Sequence, residues 1–138
     1  MIYLDSCAIV KLLVPEPESP ALTGWLNDRS DEPLVTSMLA EVEVPRALRR
    51  CAPRRLGVVT GVLARLDRFE VDAPVRATAA AYVEPRLRSL DAIHLATADN
   101  LVAAGKTVTA FITYDKRLAA AAAEAGHTVI VPGMADDL

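Results

Sequence analysis

Residues 1–14 read MIYLDSCAIVKLLV, and their reading decides the fold. Ile2, Tyr3 and Leu4 form an apolar run too short for a helix, and Asp5 ends it. A helical stretch begins at once, from Cys7 to Val14. An apolar strand that passes directly into a helix is the first half of a β-α-β unit, whose strands are buried on both faces. In such sheets ligands gather beyond the carboxyl ends of the strands, which is where Asp5 falls. The question this stretch raises is whether other acids arrive at the same edge.

The rest of the chain repeats the alternation. Strands are expected at Ile2–Asp5, Leu34–Ser37, Phe69–Asp72, Ala110–Thr113 and Thr128–Val131. Between them lie expected helices: Ser19 as N-cap with Pro20 following, to about Arg29; Met38–Cys51; Pro53–Leu66; Pro74–Val83; Leu90–Ala104; and Asp115–Ala125. Gly105 and Gly126 are placed to end the last two. Pro45 should kink the Met38–Cys51 helix or mark a junction. Leu22, Trp25 and Leu26 share a face, which makes Trp25 a core anchor. A short acidic tail closes the chain. The expected class is α/β, with a central, mostly parallel sheet of about five short strands covered by helices on both faces.

The chain has 138 residues, 52% hydrophobic, with no repeat and no dividing linker. This fits a single domain over 1–138 with ample core. No apolar run nears the roughly 20 residues that span a bilayer, and Asp5 interrupts what would be a signal sequence. A cytoplasmic protein is expected, with Cys7 and Cys51 as free, buried thiols. The net charge is −3, which by itself does not invite nucleic acid. However, twelve of the fifteen cations are Arg, and Arg46, Arg49, Arg50, Arg54 and Arg55 lie close together. The guanidinium fork suits phosphate, although a solvated helix face would look the same.

The carboxylates carry the functional reading. Asp115 follows the strand AFIT as Asp5 follows IYL, and Asp91 lies in the first turn of a strongly apolar helix, SLDAIHLATA. Each alone could be an N-cap. The Met38–Cys51 helix offers Glu41 and Glu43. They flank its expected buried stripe of Ala40, Val44, Ala47 and Cys51 equally, so periodicity leaves the choice open. Acids converging at one strand edge would repel, so their pKa values would split or a cation would be needed. Oxygen-only ligands suit Mg²⁺ and Mn²⁺, which points to metal-assisted phosphoryl chemistry.

Four segments in this order resemble the PIN-domain ribonucleases, in particular the VapC-like toxins of bacterial type II toxin–antitoxin pairs. They are MIYLDSCAIVKLLVPEPES, VTSMLAEVEVPRALRR, LDAIHLATA and FITYDKRLAAAAAEAGHTVIVPG. The resemblance implies a PIN-like α/β/α sandwich with acids at Asp5, Glu43, Asp91 and Asp115. It favours Glu43 because the family's acid precedes an Arg-Ala-Leu run by three residues, here Arg46-Ala47-Leu48. Ser6 and Thr113 match positions where the family often carries a hydroxyl, and Asp99 is a candidate supporting acid on the Asp91 helix. Pro45 departs from the pattern.

The resemblance further implies that the acids hold Mg²⁺ or Mn²⁺. A metal-activated water would cut tRNA- or rRNA-class RNA, leaving 5′-phosphate and 3′-hydroxyl ends without a general-base histidine. It implies a cognate VapB-like antitoxin and a homodimer, with Arg46, Arg49 and Arg50 contacting RNA or antitoxin. His94, one turn beyond Asp91, then reads as a packed histidine or one that supports the acids from behind. His127 reads as a surface residue. Cys7 reads as core, although its place at a helix start would lower a thiol pKa.

Two other readings compete. A receiver-like signalling domain also collects acids around Mg²⁺, but expects adjacent acids after its first strand, where Ser6 follows Asp5. An aspartyl phosphatase wants a second acid two residues on, where Cys7 stands. An inactive PIN fold that only binds remains a further alternative.

Overall fold

The computed structural model describes residues 1–134; the acidic tail lies outside the described residues. Five strands form one sheet: β1 (Ile2–Leu4), β2 (Leu34–Ser37), β3 (Asp67–Phe69), β4 (Ala110–Ile112) and β5 (Val129–Ile130). Their order is β3-β2-β1-β4-β5, and every pairing is parallel. Parallel strands need crossovers, and helices supply them. They are α1 (Ser6–Leu13), α2 (Ser19–Asn27), α3 (Ala40–Cys51), α4 (Val59–Leu63), α5 (Ala73–Ala81), α6 (Ser89–Ala103) and α7 (Lys116–Glu124).

Alternation along each strand divides the core into two layers. Ile2, Leu4, Ala110 and Ile112 face one side, where they pack with residues of α1–α4 such as Ile9, Leu22, Val44, Leu48 and Leu63. Tyr3, Val35 and Phe111 face the other, against Leu95 and Ala98 of α6 and Leu118 and Ala122 of α7. The result is the expected α/β/α sandwich. Tyr3 and Phe111, paired across β1 and β4, stack with ring centroids 5.0 Å apart.

Several expectations shift for local reasons. The third strand ends at Phe69 instead of starting there, because Asp72 accepts the Val75 N–H and caps α5. The expected Pro53–Leu66 helix divides into a 3₁₀ segment, Pro53–Val58, and the short α4. Ser19 is inside α2 and not its N-cap; its hydroxyl bridges the Val14 carbonyl and the Glu16 N–H. Helix α3 runs unbroken through Pro45. Proline there forfeits only the bond to the Glu41 carbonyl, one turn in from the helix start. Its buried stripe is Ala40, Val44 and Leu48, whereas Cys51 is exposed. Trp25 is half-buried, its ring covered by the Arg29 guanidinium at 3.8 Å.

Gly105 and Gly126 end α6 and α7 as expected. Both have positive φ (88° and 95°). In each case the glycine N–H and the next residue's N–H close back onto the last turn: Gly105 to Val102 and Lys106 to Leu101, Gly126 to Ala123 and His127 to Ala122. A side chain at either glycine would strain that left-handed turn. No helix among the described residues is long and apolar enough to cross a membrane.

Candidate active site

The parallel sheet sends β1, β2 and β4 out at one edge, and the acids follow from there. Asp5 continues β1 and caps α1: its Oδ1 accepts the Ala8 N–H at 2.9 Å. Its Oδ2 accepts the Thr113 hydroxyl, from the end of β4, at 2.5 Å. Asp115 caps α7 in the same way, accepting the Leu118 N–H at 2.9 Å, while its own N–H donates to Thr113 Oγ1. Thr113 therefore ties the two acid-bearing strands together. Asp91 lies in the first turn of α6, whose amino end reaches this edge. The N-cap reading of Asp5 and Asp115 is thus correct, but it does not use up either carboxylate.

Helix α3 settles the choice left open by periodicity. Glu43 turns toward α1 and α6: its Oε1 accepts the Ser6 hydroxyl at 2.7 Å and faces His94 Nε2 at 2.8 Å. Glu41 turns the other way and pairs with Arg68 on β3 at 3.2 Å.

The acids feel one another. Asp5 is only 2% exposed. Burial raises its pKa to about 6, helped by Asp91, against the pull of His94 and the hydrogen bonds from Thr113 and Ala8. Burial also raises Asp91, with repulsion from Asp115 and Glu43 adding to it and His94 and Arg88 opposing. Glu43 moves the opposite way. Burial pushes it up, but hydrogen bonds from His94 and Ser6 prevail and hold it below its ordinary value. This is the splitting expected of carboxylates that share a site.

A cleft of about 720 Å³ opens beside them. Ser6, Glu43 and Asp115 line it, with apolar walls from Val10, Leu39, Val42 and Leu90, and with Lys11, Arg46 and Arg50 as cations. Asp5 is buried next to Ser6. Arg49 is exposed on α3 but outside the cleft lining. Among the described residues, no three His, Cys, Asp or Glu side chains form a ready-made metal chelate. The donor chemistry nonetheless fits a hydrated hard cation: the acids are oxygen donors, mutually repelling and partly desolvated. Mg²⁺ in particular takes few carboxylates directly and keeps its waters.

Four expectations are corrected here. Asp99 is not a supporting acid of this edge. It sits eight residues beyond Asp91, about 12 Å along the helix axis, where it accepts from the Tyr82 hydroxyl and pairs with His127 Nε2. His127 is accordingly no surface residue; its side chain is 5% exposed and its ring lies against Phe111. Cys7 is exposed and lines the cleft instead of the core. Its thiol pKa is not lowered but pushed up to about 12, by loss of solvent and by the carboxylates of Asp5, Asp91, Asp115 and Glu43.

One contact behind the acids was not legible. Tyr3 alternates with Ile2 and Leu4 like any core residue, yet its hydroxyl reaches His94 Nδ1 at 2.7 Å. The partner is 91 positions away, and no local pattern announces it.

Comparison with known proteins agrees with this fold. The family model described as PIN domain matches residues 2–124. Ribonuclease VapC35 of Mycobacterium tuberculosis is 53% identical over 135 residues, covering 98% of this chain and 99% of that one. Ribonuclease VapC46 of the same species is 46% identical over 131 residues, covering 95% and 97%. Among solved structures, Mycobacterium tuberculosis VapC20, titled a sarcin-ricin loop cleaving toxin, superposes with TM-score 0.69 at 18% identity, covering 88% and 95%. The Rickettsia felis VapBC2 structure, titled as bound to a promoter DNA fragment, superposes with TM-score 0.64 at 11% identity, covering 96% and 99%.

Proposed function

The chain belongs to the PIN-domain family, and from that premise we propose that it is a metal-dependent endoribonuclease, the toxin of a toxin–antitoxin pair. The observation that carries the reading is the placement of Asp5, Glu43, Asp91 and Asp115 at the carboxyl edge of the sheet, with Thr113 bonded to Asp5 and to the Asp115 N–H and Ser6 bonded to Glu43. The high identity to proteins named ribonuclease VapC supports the substrate class and an antitoxin partner. The VapBC2 name supports the partner further.

In this reading residues 1–138 act as one cytoplasmic domain, and two copies join their clefts. Asp5, Asp91, Asp115 and Glu43 would hold Mg²⁺ or Mn²⁺. A cation held there would supply charge neutralisation for phosphate and a more acidic water.

The chain's own residues supply position. Thr113 fixes the Asp5 carboxylate against β4. Ser6 and His94 fix Glu43. Arg46 and Arg50 face the cleft as phosphate donors, and the apolar walls leave room for an unpaired base. No histidine is placed as general base, since both ring nitrogens of His94 are engaged within the protein. Attack by water with the 3′ oxygen as leaving group, the course the family resemblance implies, gives 5′-phosphate and 3′-hydroxyl ends.

The test is incubation of the purified chain with total bacterial RNA and Mg²⁺ or Mn²⁺, followed by sequencing of fragment ends. Discrete fragments with those termini are expected and would name the RNA. Intact RNA, or 2′,3′-cyclic phosphate ends, would overturn the reading.

A second prediction concerns the cations. In the double variant Arg46→Ala/Arg50→Ala, the slope of log affinity for RNA against log salt should fall by about 1.4, at roughly 0.7 for each single-strand phosphate contact. Arg49→Ala, outside the cleft, should change it less. An unchanged slope in the double variant would remove Arg46 and Arg50 from the RNA path.

A further inference from the structure

Behind Glu43 lies a polar chain buried where apolar packing would serve as well. His94 is 1% exposed and Tyr3 fully buried. Tyr3 stacks on Phe111 and meets the His94 ring edge-on at 5.9 Å. Phenylalanine would make the same ring contacts, and leucine would fill the His94 site. Buried polar groups cost stability unless fully bonded, so a bonded chain that ends on a site carboxylate has a use beyond packing.

The bonds have a direction. The Glu43 carboxylate can only accept, so His94 Nε2 carries the hydrogen at 2.8 Å from Oε1. Nδ1 meets the Tyr3 hydroxyl at 2.7 Å. Held at both nitrogens, the ring has its plane fixed. Ser6 donates to the same Oε1 at 2.7 Å. Both donors converge on one oxygen, which leaves Oε2 for the cleft.

We propose that Tyr3 and His94 form a fixed relay that orients Glu43 and presents its Oε2 to the divalent cation. They are positioning residues, and neither touches substrate. The inference rests on the metal-dependent reading above and adds residues to it.

The test is Mn²⁺ affinity of the full chain without RNA, read from the electron paramagnetic resonance signal of free Mn²⁺. His94→Leu should weaken binding by about 10- to 100-fold, the usual effect of removing such a supporting partner. His94→Gln, whose amide can still donate to Glu43, should recover much of it. Tyr3→Phe should cost a few-fold. In a Glu43→Gln background, His94→Leu should change the affinity less than about twofold, because the relay acts only through Glu43. Equal losses in the wild-type and Glu43→Gln backgrounds would mean a merely structural role and would overturn the relay, as would wild-type affinity in His94→Leu. If His94→Leu fails to fold by circular dichroism, Tyr3→Phe, which keeps every ring contact, decides in the same two backgrounds. A wild-type chain that binds no Mn²⁺ would overturn the metal reading itself, and the relay with it, whereas tight wild-type binding isolates the relay.

Discussion

Asp5→Asn is expected to abolish RNA cleavage, by on the order of 10³-fold or more, while making the metal-free protein more stable. The two effects share a cause. Asparagine keeps the shape, and its carbonyl can still accept the Ala8 N–H, so α1 stays capped. What it removes is a charge that is buried, 2% exposed, and costly without a cation. Burial lifts the Asp5 pKa from 3.8 to about 6. A raised carboxylate favours the folded state fully only below its unfolded pKa, and that advantage is lost as pH rises through the folded value. Above pH 6 the ionised group therefore costs roughly 3 kcal/mol at most, by about 1.4 kcal/mol per unit. Thr113 loses its acceptor in the variant, which trims the gain. Chemical denaturation of metal-free wild type and Asp5→Asn from pH 4 to 7 should show a stability difference that grows between about pH 4 and pH 6 and levels off above, with the variant the more stable. A variant that is inactive because it is unfolded would contradict this account.

Removing divalent metal is expected to reduce cleavage by wild type to background, and restoring Mg²⁺ or Mn²⁺ to bring it back. The same ions should stabilise the fold, because they bind the assembled edge and not the open chain. At 100 times the dissociation constant the gain is about 2.7 kcal/mol. Asp91 and Asp5 are both pushed toward the neutral form in the metal-free protein, so uptake of the cation should also release protons near pH 6. Asp5→Asn should lose most of the stabilisation. Thermal unfolding with and without Mn²⁺, run on both proteins, measures it. Equal midpoints for wild type with and without the ion would argue against a cation at this edge.

Much of the molecule was legible because its signals are local. A run such as Ile2–Leu4 ending in Asp5, or Ala110–Ile112 leading to Asp115, states both the strand and the edge at which its acid emerges. Gly105 and Gly126 mark helix ends through backbone sterics that no neighbour can override. Phe69 misled because an edge strand needs few apolar residues: Asp67 and Arg68, both exposed, make up most of β3. Glu41 and Glu43 could not be separated by period, since the stripe runs through Leu48 and not Cys51. Asp99 and His127 failed for a different reason. Their pairing joins α6 to the segment before β5, and a contact between distant elements has no spacing to read. Cys7 shows the same limit, because its thiol answers to four acids from four separate segments.

The hydrogen bond between Thr113 and Asp5 spans 108 positions, and β1 lies at the centre of the sheet, flanked by β2 and by the late strand β4. Loop closure over that distance must come before any reward from this pairing. It also sets an order in time. During synthesis the first strand leaves the ribosome with one flank unfilled, and it stays so until residues 110–115 follow. A nascent chain, or one truncated before β4, has Asp5 without its clamp and lacks Asp115 altogether. Residues 110–115 are therefore the last part of this acid edge to be made, and no shorter nascent chain brings Asp5 and Asp115 together.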